Sequence, residues 1–131
     1  MARHWSDAYV GRRYVRGQYD CAALAADVQQ EVFGRAVDLP AERPHDLRAQ
    51  AAAVAGVMVQ HAEPVERAVE GCLALLRKGP AARPWHVGVY FERGGEGWIL
   101  HATASSGQAI STRVRALHLL GYQIEGYYQW V

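Results

Sequence analysis

Apolar and polar positions follow one rhythm in the first third of the chain and a different one in the last half. Cys21, Leu24, Ala25, Val28 and Val32 recur at three- and four-residue spacings within "CAALAADVQQEVF". That period predicts an amphipathic helix, with Asp20 as its N-cap and Gly34 as its stop. The alanines, leucine and glutamines between the apolar positions favour the same conformation. Ahead of it, Trp5, Tyr9, Tyr14 and Tyr19, with Gly11 and Gly17 between them, predict a short helical or irregular lead-in and a glycine-bearing loop. "DLPAERP" predicts a loop, "HDLRAQAAAVAGVMVQ" a second helix weakened towards its end by Gly56 and β-branched residues, and Pro64 a further break.

From Gly71 onward the period shortens. "GCLALLRK" is a continuous apolar run of strand length, "WHVGVYFE" alternates, and "GWILHAT" is a third short run. "GGEG", Gly94 to Gly97, predicts a hairpin turn between the last two. "QAISTRV" and "YQIEGYYQWV" predict two further strands around a short helical turn at "RALHLLG". Helices first and strands after predict an α+β fold, with N-terminal helices packed on an antiparallel sheet of about five strands. With no internal repeat, low-complexity tract or linker, residues 1–131 read as one domain.

Composition narrows the classes of function. Charged residues make up 21% of the chain and the net charge is +1, with the arginines scattered, so nothing marks a nucleic-acid partner. No apolar run reaches the roughly 18–20 residues that span a bilayer, so membrane insertion is not expected. The polar, aromatic opening "MARHWSDAYVGRRYV" lacks the apolar core of a signal peptide, which predicts synthesis in a cytoplasm. Cys21 and Cys72 are the only cysteines. Without CxxC spacing they indicate neither a zinc site nor a thioredoxin-like motif. His4, His45, His61 and His118 lack ligand spacing and read as surface or structural residues, so no metal or cofactor is implied.

Cys21 carries the chemistry. On the first turn of its helix, free backbone N–H groups and the helix dipole favour an anion, which raises the thiolate fraction of a thiol. A thiolate nucleophile needs an imidazole partner, and that imidazole needs a third group to hold its orientation. His86 opens "HVGVY" and His101 ends "WILH"; if the two strands form a hairpin, both rings stand side by side on one face. On spacing alone, Cys21 reads equally as a small buried hydrophobe, and each histidine as structural.

The motifs in order decide between these readings. The chain resembles the NlpC-type family of cell-wall cysteine peptidases, a papain-like group. The matching features are Asp20–Cys21 with an apolar helix ending in Phe33–Gly34, the strand His86–Val87–Gly88–Val89–Tyr90, His101 in "LHA", and Tyr14 with Gly17 in "YVRG". The resemblance implies a papain-like fold and a catalytic Cys21–His86–His101 triad. The backbone N–H of Cys21 reads as an oxyanion donor, Tyr14 equally as a second donor through its hydroxyl and as loop packing, and Asp20 as a helix cap or substrate-amine contact. The implied substrate is a peptidoglycan stem peptide, cut between D-glutamate and the diamino acid.

The opening "WSDAYVGRRYV" and the closing "IEGYYQWV" look like those of phage and prophage tail-associated peptidases, which implies tail-tip proteins as partners and action at the cell wall. The chain departs from the family where Ala22–Ala23 replace the usual small hydroxyl-bearing pair after the nucleophile. It departs again where Gly71–Cys72 replace a Gly-Asp, and Cys72 reads as a structural strand residue. The same residues also fit a papain-like amidase or acyltransferase, a bacterial effector, or a non-catalytic tail-tip module.

Overall fold

A computed structural model describes residues 4–15, 19, 21–35, 62–78, 85–103 and 105–130. Asp20, Gly17 and the second helix expected over 45–60 lie outside the described residues, as do His45 and His61. The helix expected first is present: α1 spans Cys21–Phe33 and buries Ala22, Leu24, Ala25, Val28 and Gln29. Gly34 follows at φ +68, the left-handed stop that a glycine makes without strain.

Among the described residues six strands form one antiparallel sheet, against the five or so expected. They are β1 (Ala62–Val65), β2 (Leu73–Lys78), β3 (Trp85–Arg93), β4 (Glu96–Ala102), β5 (Ala109–Arg113) and β6 (Tyr122–Trp130), in the order β1-β6-β2-β3-β4-β5. The additional strand is β1, which contains Pro64 where the sequence predicts a break. It pairs only with β6, with Pro64 opposite Tyr128, so the missing N–H can face away from the ladder. The expected turn also shortens: Gly94 and Gly95, at φ +65 and +76, make the two-residue hairpin loop, and Glu96 and Gly97 already belong to β4.

The sheet buries both faces. On one, Val87, Val89, Phe91 and Leu100 pack with Leu24, Ala25 and Val28 of α1. On the other, Cys72, Ala74, Leu76, Tyr90 and Ile99 pack with Leu117 and Tyr122. Leu117 belongs to a 3₁₀ helix, Val114–Leu120, which carries the chain from edge strand β5 back to β6 beside β2. Gly121, at φ +83, ends that helix and turns the backbone so that Tyr122 enters the second face at the start of β6.

The N-terminal segment is tied to both layers. A 3₁₀ turn at Trp5–Ala8 is clamped to β3 by the Arg93–Asp7 pair, with N–O distances of 2.8 and 3.3 Å. Past it, Gly11 N–H donates to Ala109 O at 2.9 Å and Ala109 N–H to Arg12 O at 2.8 Å, so the segment runs along β5. Arg12 lies 4.2 Å from the Tyr9 ring centroid, donates to the Tyr19 hydroxyl at 3.1 Å and faces Asp27 and Glu31 of α1. Among the described residues no helix is long and apolar enough to cross a membrane.

Candidate functional site

The chemistry-bearing side chains meet where α1 begins, β3 and β6 begin and β4 ends. Cys21 is the first residue of α1, half-buried and not in a disulfide. His86 stands second in β3 and is buried. His101 lies near the end of β4 and is 0% exposed. The two imidazoles are hydrogen-bonded, His86 Nε2 to His101 Nδ1 at 3.0 Å, which is the side-by-side placement the hairpin predicts. That contact is made by His86 Nε2, the ring nitrogen turned towards β4.

Gly88 makes the approach possible. A Cβ at this position would stand 2.4 Å from Ile99 Cγ2 and 3.3 Å from His101 Cβ. Within "HVGVY" the glycine therefore has a steric reason: it is the space into which the β4 side chains settle.

His101 also contacts β5, with its Nε2 3.0 Å from the Thr112 hydroxyl. Thr112 sits opposite Ile99, and Ile110 sits opposite His101, so the contact is the diagonal one that long side chains reach across a ladder. Burial pushes the His101 imidazole down to about 4, leaving the ring neutral at physiological pH.

Tyr122 joins the parts. Its ring stacks on His86, with centroids 5.0 Å apart and planes 22° apart, and meets His101 edge-on at 5.6 Å. Burial pushes its phenol up to about 12, and the nearby Cys21 and Tyr14 groups push in the same direction. Tyr14 and Cys21 therefore belong to the same neighbourhood as the histidine pair. Tyr14 is brought there by its backbone, whose N–H donates to Gly107 O at 2.9 Å. Asp20 lies outside the described residues.

Thr112 and Tyr122 have no counterpart among the residues singled out in the sequence as site residues. Tyr122 is one of several aromatics near the chain's end that read as packing. A usable signal was its position directly after Gly121, where a left-handed residue redirects the chain. Thr112 becomes visible only once the β4–β5 register is known. Cys72 is buried, and burial raises its thiol above the ordinary value, consistent with packing rather than reactivity. His4 accepts from Ser6 N–H at 3.1 Å, and His118 is exposed.

A cavity of about 190 Å³ opens beside Tyr122, lined by Thr103, Ser105, Ser106, Ile110 and Leu120. Counting Tyr122, four of the described lining residues carry a hydroxyl and two are aliphatic. Among the described residues no cluster of histidine, cysteine and carboxylate side chains is arranged to hold a metal. Comparison with family models, with curated proteins and with solved structures returns no match.

Proposed function

We propose that this chain is a cysteine peptidase of the papain-like NlpC type that hydrolyses peptidoglycan stem peptides. The observation that carries the reading is the 3.0 Å His86–His101 hydrogen bond, made in the same neighbourhood as a half-buried thiol at a helix start. A helix that presents the nucleophile and an antiparallel sheet that presents the imidazoles are the parts a papain-like arrangement requires.

The Cys21 thiolate attacks the scissile carbonyl carbon while His86 carries the proton taken from the thiol. The backbone N–H of Cys21 and the Tyr14 hydroxyl receive the developing oxyanion; losing one such donor costs about 10²–10³ in rate. His86 then protonates the departing amine as the C–N bond breaks, leaving a thioester. Water adds to the thioester as His86 takes its proton, and the carboxylate leaves with the thiol restored. His101, neutral throughout, holds the His86 ring without adding a charge to the site. The bond cut is the one between D-glutamate and the diamino acid, and the setting is a phage or prophage tail tip acting on the wall.

The test is digestion of purified Gram-negative peptidoglycan, with products identified by mass spectrometry. Wild type is expected to release fragments cut within the stem peptide, and Cys21→Ala and His86→Ala are expected to release none. Equal release by wild type and Cys21→Ala would remove the thiol from the reaction. No release by any of the three would move the thiol to another acyl substrate.

A further inference from the structure

We infer that Thr112 is a positioning residue that supports the proton arrangement of the site by accepting from His101. The inference rests on the peptidase reading above and adds to it a residue on β5, one strand beyond the two that carry the imidazoles.

Neutral imidazole has one N–H and one bare nitrogen, and which is which is set by its partners. During catalysis His86 becomes an imidazolium with both nitrogens protonated, so its Nε2–H must donate to His101 Nδ1, 3.0 Å away. His101 Nδ1 must then be bare and its proton must sit on Nε2. That Nε2–H lies 3.0 Å from the Thr112 hydroxyl oxygen, which accepts it. The opposite tautomer sets His101 Nδ1–H against a protonated His86 Nε2, two donors facing each other.

His101 is 0% exposed, so no bulk water replaces Thr112 as acceptor. Its low basicity is consistent with a ring that stays neutral while His86 gains and loses charge. Among the described residues, Tyr122 of β6 stacks on the pair, and Cys21 of α1 and Tyr14 of the N-terminal segment lie within electrostatic reach of its phenol. The 3₁₀ helix between β5 and β6 contributes the exposed His118. The charges nearest along β4 and β5, Glu96 and Arg113, pair with each other at 3.0 Å.

Long-range proton–nitrogen correlation spectra of nitrogen-labelled protein at pH 7 read the tautomer directly. Iodoacetamide labelling of Cys21, followed by peptide mapping, reads the consequence. The expected result is His101 protonated on Nε2 in wild type and in Thr112→Ser. In Thr112→Val the tautomer population is expected to shift and Cys21 labelling to slow about tenfold, the scale of leaving one buried N–H without an acceptor. Protonation on Nδ1 in wild type, or a Thr112→Val protein with unchanged tautomer and labelling rate, overturns the proposal. If Thr112→Val does not fold, the wild-type and Thr112→Ser tautomers decide it. Wild-type Cys21 that labels no faster than the urea-unfolded chain, with the Nε2–H tautomer in place and lost in Thr112→Val, removes the nucleophile and keeps the Thr112–His101 link.

Discussion

His101 has no exposed surface, and its charged form would lose its hydration on entering the fold, so the folded chain holds it neutral. The consequence for stability has a definite sign. The unfolded ring takes a proton near 6.5 and the folded one only near about 4, so between these values the unfolded state binds more protons. Stability from this group is complete above pH 6.5, falls as pH drops through that window, and is exhausted below about 4. The loss amounts to about 3 kcal/mol. Urea unfolding across the window is expected to show a steep pH dependence in wild type and a shallower one in His101→Asn. Equal slopes would mean that the ring is hydrated in the fold. Beside it, Tyr122 covers the face of His86, and its phenol, pushed up to about 12, stays protonated wherever the histidines titrate.

The β3–β4 hairpin is the element that builds the imidazole pair, and its register depends on two glycine features with different physics. Gly94 and Gly95 close the turn because both adopt positive φ, which fixes Arg93 opposite Glu96. Gly88 keeps the face open. Gly88→Ala places a methyl 2.4 Å from Ile99 Cγ2, and Leu100 O at 3.1 Å cannot give way. A cost of about 1–3 kcal/mol follows, together with displacement of His101. Thermal melts and the Cys21 labelling rate check the two parts separately; a variant unchanged in both contradicts the packing described. The hairpin was legible in the sequence because alternation and paired glycines are local signals. β1 was not, because "AEPV" exposes Glu63 and Pro64, buries only Ala62 and exists through its pairing with β6. The Thr112 contact was equally hidden, since one threonine in "AISTR" gains its meaning from a diagonal across two strands.

In the whole molecule the site is where two layers meet at the end of the sheet, with the N-terminal segment strapped between α1 and β5 through Arg12. Helix, sheet and strap each bring a different group: Cys21 from α1, the histidines from β3 and β4, Tyr122 from β6, and Tyr14 from the strap. Periodicity placed the thiol and both imidazoles near helix and strand ends, whereas Tyr14, in the N-terminal segment outside any helix or strand, stood out only through the family resemblance. The aromatic that unites them depends on the long return from β5 to β6, which no local pattern encodes. In the proposed reading, this convergence turns an ordinary cysteine into a nucleophile under the control of His86. The most direct measurement is the rate of Cys21 alkylation by iodoacetamide at pH 7, in folded wild type, folded His86→Ala and the urea-unfolded chain. Cys72, buried at 1% exposure, is protected in the folded forms. Folded wild type is expected to react at least about tenfold faster than the unfolded chain, and His86→Ala is expected to lose that advantage. Folded wild type that reacts at the unfolded rate or slower would contradict it and return Cys21 to the core as a small packed side chain.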